Sequence, residues 1–210
     1  MNRRKLILSS TLMLSATLIG CNAKDNAATT TSSPATPAAP TTPAVPKAAP
    51  TKRSPSPEAA AEAQGFTVGA MMTANPVYVF FDPQCPHCGH LWNASLPLQQ
   101  SVKFIWIPVA LINASSLTQG AALLAAANPA EAMTAHEAAL LAGKGGMSAA
   151  SGVSPELEQA IKKNTEMLNS FGAEGVPFIV AKNLKSGQTV SRDGAMPTAA
   201  LADFLGVAQP

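Results

Sequence analysis

Apolar residues in this chain fall into short continuous runs and longer spaced series. Val77-Tyr78-Val79-Phe80-Phe81 is unbroken, β-branched and aromatic, and Pro76 and Asp82-Pro83 bound it. That pattern predicts a strand buried on both faces. Lys103 to Ala110 predicts a second such strand. Phe178–Ala181 and Gln188–Ser191 predict a hairpin around Lys185-Ser186-Gly187. Helical spacing returns from Pro197 to Leu205, with Gly206 as a stop.

The stretch from about 114 to 172 carries a helical rather than an alternating pattern. Its best-defined helix opens at Ser154-Pro155-Glu156, with Ser as N-cap and Pro in the first position. Leu157, Ile161 and Leu168 then share a face and Gly172 closes it. Ala121 to Leu141 reads as two Ala-rich helices broken at Asn128-Pro129. The order is strand, helix, strand, helical block, hairpin, helix, with no internal repeat. It predicts an α/β core carrying a helical insertion.

The N-terminal quarter breaks this pattern. Asn2-Arg3-Arg4-Lys5 precedes an apolar run, Leu6 to Ile19, that is too short for a permanent span. It ends in Leu18-Ile19-Gly20-Cys21, which resembles the bacterial lipobox, where lipid is attached to the cysteine after cleavage before it. The plainer alternative is an ordinary signal peptide with Cys21 incidental. Asn22 to Pro57 is nearly all Ala, Thr, Pro, Ser and Lys, with too little apolar bulk to offset the entropy of ordering. Such a tether of 36 residues spans roughly 36 Å as a coil and at most about 110 Å as polyproline II. The expected organisation is a lipoprotein signal peptide over 1–20, a lipidated Cys21 and disordered linker over 21–57, and one folded domain over 58–210.

Charge then excludes one class of function. Cleavage after residue 20 lowers Lys+Arg from 14 to 11 against 12 Asp+Glu, leaving a side-chain sum of −1. No basic patch remains to argue for nucleic acid.

Two of the three cysteines sit together as Cys85-Pro86-His87-Cys88, directly after the first buried strand and opening a helix. Cys85 falls at the N-cap and Pro86 at the first helical position, where its missing N–H costs nothing. Free N–H groups and the positive helix end then favour the Cys85 thiolate, and protonated His87 adds positive charge. Such surroundings lower a thiol from about 8.5 into the range of roughly 3.5 to 7.5. Cys88 lies one turn on and further inward, so Cys85 is the expected nucleophile and Cys88 the resolving thiol. Haem attachment would need His directly after Cys88, where Gly89 stands. Zinc would need four ligands, and only His87, His90 and His136 accompany the pair. A purely structural disulfide closing so short a loop would gain little stability.

The run Val77 to Cys88, with Trp92-Asn93-Ala94-Ser95-Leu96-Pro97, Gly172-Ala173-Glu174-Gly175-Val176-Pro177 and Gly194-Ala195-Met196-Pro197, resembles the catalytic domain of the DsbC/DsbG disulfide-isomerase family, on its DsbG side. The likeness covers nearly all of residues 70–206. It implies a thioredoxin-like fold in which Val176-Pro177 is cis, lies against the Cys85 sulfur and offers the Val176 backbone to a substrate strand. Three departures stand out. The family's N-terminal dimerisation domain has no counterpart, and the Ala/Thr/Pro segment stands in its place. Pro86-His87 and Val176 match the oxidising DsbA branch. Val79 instead matches the isomerase branch, where DsbA and thioredoxin carry an acid.

Other side chains carry weaker signals. His90 is expected to face solvent, and His136, within an Ala-rich helix, reads as a surface residue. Trp92 and Trp106 are assigned to packing. Asp82 either raises the Cys85 pKa or makes the turn into the loop. The resulting expectation is a periplasmic, lipid-anchored thiol:disulfide oxidoreductase, monomeric and without cofactor or metal. It would exchange disulfides with cysteines of exported proteins and with a membrane redox partner, in a direction the residues leave open. A client-holding, chaperone-like lipoprotein and a metal carrier using Cys85, Cys88 and His87 or His90 are the alternatives.

Overall fold

A computed structural model describes residues 51–148, 152 and 154–210. The expected signal peptide, Cys21 and the tether up to residue 50 lie outside the described residues.

The sheet has five strands: β1 (Phe66–Gly69), β2 (Val77–Phe81), β3 (Lys103–Pro108), β4 (Phe178–Lys182) and β5 (Thr189–Asp193). Their spatial order is β1-β3-β2-β4-β5, with β2 and β3 parallel and the other pairs antiparallel. Every residue of β2 is buried, as its unbroken apolar run requires of a central strand. The alternation of the strand divides the core in two. Val77, Val79, Phe81, Phe104, Trp106 and Ile179 point to one face, and Tyr78, Phe80, Ile107, Phe178 and Val180 to the other.

Among the described residues six α-helices flank the sheet: α1 (Pro57–Ala60), α2 (Pro86–Ser95), α3 (Ala114–Ala125), α4 (Pro129–Leu141), α5 (Pro155–Ser170) and α6 (Thr198–Leu205). The first face packs on α2, α4 and α6 through Leu91, Trp92, Met133 and Leu201. The second packs on α1 and α5 through Ala60, Leu168 and Phe171. Local chemistry sets the helix ends. The Ser154 hydroxyl accepts from Leu157 N, the Asn128 side chain accepts from Glu131 N, and Gly206 ends α6 in the left-handed region at φ 70°. The break at Asn128-Pro129 separates α3 from α4, and α3, α4 and α5 form the helical insertion between β3 and β4.

Two features were absent from the sequence expectation. Phe66–Gly69 is a strand, antiparallel to β3, that closes one edge of the sheet. Residues 51–56 run beside the end of α5, where Arg53 N donates to Ser170 O at 2.8 Å, and α1 begins at Pro57.

Candidate active site

The turn from β2 into α2 places the two cysteines. The Asp82 carboxylate organises that turn: Oδ1 accepts from Gln84 N at 2.8 Å, and Oδ2 accepts from Leu111 N at 2.7 Å and Ile112 N at 3.0 Å. Both oxygens are thus committed to backbone, which resolves the earlier alternatives for Asp82 in favour of turn formation. Cys85 follows as the N-cap of α2 in extended conformation, Pro86 takes the first helical position, and Cys88 N donates back to Cys85 O at 2.9 Å.

Across the groove, the Val176-Pro177 peptide is cis. Cys85 Sγ lies 3.5 Å from Val176 O, so residues 91 positions apart meet at the sulfur. Cys85 keeps 5% of its surface exposed and Cys88 none, while Pro86, His87 and His90 are exposed.

The two thiols are electrostatically opposite. The Cys85 thiol is lowered to about 6, first by the hydrogen bond from the Cys88 thiol, then by the N–H groups of Cys88 and His87 and the His87 charge, all opposed by burial. Cys88 is pushed well above the ordinary thiol range, first by burial and then by Cys85. One sulfur is therefore held as a thiolate near neutral pH while its neighbour keeps the proton.

The helical insertion supports this loop through polar contacts that the sequence analysis did not find. Gln84 Nε2 donates to Gln119 Oε1 and to Gly145 O, and Gln119 Nε2 donates to Gly145 O and Met147 O. His136 is a correction. It is fully buried, with Nε2 2.7 Å from Pro83 O and Nδ1 accepting from Met147 N at 3.1 Å. An imidazole with two backbone partners is satisfied in the interior, and the surrounding alanines gave no sign of that. Trp92 and Trp106 pack edge to face at 5.1 Å within the core beside α2. Among the described residues no group of three or more His, Cys, Asp or Glu could hold a metal ion.

No family profile matches this chain. It is 34% identical over 138 residues to the thiol:disulfide interchange protein DsbG of Pseudomonas aeruginosa, covering 62% of this chain and 50% of that protein. It is 32% identical over 105 residues to DsbG of Escherichia coli, covering 49% and 42%. The chain thus spans about half the length of the curated relatives it matches. Among solved structures, the catalytic domain of Proteus mirabilis ScsC superposes with a TM-score of 0.54 at 19% identity, over 67% of this chain and 86% of that one. A periplasmic thioredoxin-like protein from Salmonella enterica serovar Typhimurium gives 0.55 at 17%, over 67% and 87%. The thiol-disulfide exchange protein alpha-DsbA2 from Wolbachia pipientis gives 0.54 at 18%, over 70% and 89%. The fold is thioredoxin-like, and in sequence the chain is DsbG-like.

Proposed function

We propose that this chain is a periplasmic thiol:disulfide oxidoreductase that exchanges disulfides with cysteines of exported proteins through Cys85 and Cys88. The observation that carries this reading is the asymmetry of the pair, with Cys85 lowered to about 6 at a helix N-cap and Cys88 raised and buried one turn later. In the reducing direction the Cys85 thiolate attacks a client disulfide, forming a mixed disulfide and releasing one client thiolate. Cys88 then attacks the Cys85 sulfur, closes the Cys85–Cys88 disulfide and releases the second client thiolate. Two electrons pass from the pair to the client, and the oxidising direction runs the same steps backwards.

The Val176 carbonyl is the backbone group offered to the client beside Cys85, with Pro177 fixing its orientation in the groove. A Cys85 thiol held at about 6, chiefly by the hydrogen bond from Cys88, stabilises the reduced form, which favours oxidation of clients over their reduction. A membrane redox partner would then re-oxidise the pair. Lipid on Cys21 would hold the enzyme at a bacterial membrane, and the domain would act as a monomer.

A second reading as a client-holding protein draws on Leu111 and Ile112, which stand 46% and 49% exposed where Asp82 pins their backbone beside the active-site loop. Dithiothreitol-driven insulin reduction separates the two. Exchange requires both cysteines, whereas holding survives Cys85→Ser and Cys88→Ser. A double variant as active in insulin reduction as the wild type would overturn the oxidoreductase reading.

A further inference from the structure

Glu137 is an interior carboxyl group that the exchange steps above do not use. It is fully buried on α4, and neither of its oxygens meets a hydrogen-bond partner among the described residues. Burying a carboxylate without partners costs several kcal/mol, so such a group calls for a functional account. Its position beside the redox pair is set by the packing of α4 on α2. Gly89 directly follows Cys88, and a Cβ at Gly89 would come 2.5 Å from Glu137 Oε2 and 3.2 Å from Leu141 Cγ. Gly89 lies inside α2, so it is the missing side chain that makes room for the carboxyl group. The sheet supplies no alternative acid on this face of the pair, since Val77, Val79 and Phe81 of β2 are apolar there.

We propose that Glu137 is the proton acceptor for Cys88 in the resolving step, and its proton donor in the reverse direction. This rests on the reading of Cys85 and Cys88 as the exchange centre. Cys88 must lose a proton before it can attack, and its buried thiol holds that proton tightly. Glu137 is itself raised to about 8, by burial first and by the Cys85 charge second. Forming the mixed disulfide removes the Cys85 charge, so Glu137 becomes easier to ionise at the stage when Cys88 needs a base. The Cys88 S–H proton then passes to the carboxylate, and the Cys88 thiolate forms a bond to the Cys85 sulfur. The bond from Cys85 to the client breaks, its electron pair leaves on the client sulfur, and Glu137 holds the proton until the client thiolate or solvent takes it.

The other titratable groups on the elements around Glu137 are few. α2 carries Cys88 and the exposed His87 and His90, with Cys85 at its cap, and α4 carries His136 and the exposed Glu131. His136 is engaged with Pro83 and Met147, and Asp82 with three backbone N–H groups. α3 and β1, which also pack on α4, contain no titratable side chain.

The test is single-turnover exchange of the reduced full chain with glutathione disulfide, acid-quenched and resolved by mass. In Glu137→Gln the Cys85 mixed disulfide should form at a rate close to wild type and resolve roughly 10²-fold more slowly near neutral pH. Resolution should then climb with hydroxide concentration where the wild type levels off. Glu137→Met, which keeps the volume without a proton site, should match it, and Glu137→Asp should recover part of the rate. Wild-type resolution rates in both the Gln and Met variants between about pH 5.5 and 8.5 would sink the proposal while leaving the exchange centre intact. A wild-type protein that forms no mixed disulfide at Cys85 would instead sink the functional reading beneath it.

Discussion

His136 joins α4 to the active-site loop through Pro83, with its Nε2 2.7 Å from the Pro83 carbonyl oxygen. Because Nδ1 accepts from Met147 N, the ring is neutral with its proton on Nε2. Burial, acting first, lowers its pKa below the usual imidazole value of 6.5. The neutral ring therefore contributes stability that is present above about pH 6.5 and lost as pH falls through the folded-state value. His136→Ala should cost about 2 to 4 kcal/mol at pH 7.5, by analogy with other losses of a buried, doubly bonded group. Denaturant titrations should show the gap to wild type narrowing by pH 5, and an equal gap at both pH values would argue against the assigned tautomer.

The Cys85 thiolate should appear with a midpoint near pH 6 when its absorbance at 240 nm is followed. Alkylation should rise across that midpoint and then level off. The hydrogen bond from Cys88 is the largest cause of the lowering and the His87 charge the smallest, so Cys88→Ala should raise the midpoint more than His87→Ala. The reverse order would assign the effect to the imidazole.

Roles within the pair can be separated by trapping. Cys88→Ser should accumulate mixed disulfides with exported clients through Cys85, because the resolving thiol is gone. Cys85→Ser should accumulate few, since Cys88 is fully buried and its thiol stays protonated. Comparable adduct yields from both variants, read on non-reducing gels, would contradict the assignment.

Glu137 should leave a mark on stability as well as on rate. Its folded-state value of about 8 lies above the 4.5 of an exposed carboxyl, so its contribution is full below pH 4.5 and is lost as pH rises through 8. Glu137→Gln should therefore gain stability relative to wild type across that window, by up to a few kcal/mol. Parallel unfolding curves for the two proteins at pH 5 and pH 8.5 would show that the carboxyl is not buried as described.

The anchoring proposal predicts that Cys21→Ser loses its lipid mass and leaves the membrane fraction. On the same proposal, Asn22 rather than Asp after that cysteine would direct the lipidated protein to the outer membrane. Light scattering on residues 58–210 should give a monomer, with scrambled multi-disulfide substrates reshuffled poorly. A stable dimer with strong isomerase activity would overturn the monomeric reading.

Much of the fold was legible because its signals are local. The unbroken run Val77–Phe81, the Ser154 cap and the Asn128-Pro129 break each state their structure within a few residues. β1 was not, because four residues ending in glycine carry too short a period to be told from a loop. The two cysteines and Pro86 were legible in the site, since cap geometry follows from residue order. His136, Glu137 and the Gln84–Gln119 contacts were not, because each is defined by a partner tens of residues away. A polar residue on an Ala-rich helix looks the same in sequence whether it meets water or a thiol.

The sheet order also decides when the redox centre comes into being. β3, which pairs Val77 with Phe104, follows β2 closely, whereas Tyr78 meets Val180 only after the whole insertion has been made. Closing a loop of about a hundred residues costs about 4 kcal/mol of chain entropy before any contact compensates, so β4 docks late. Until then Cys85 has no Val176 carbonyl beside it. A chain without β4 in place thus carries the two cysteines with one wall of their groove still missing. The groove beside Cys85 is completed only when the fourth strand arrives.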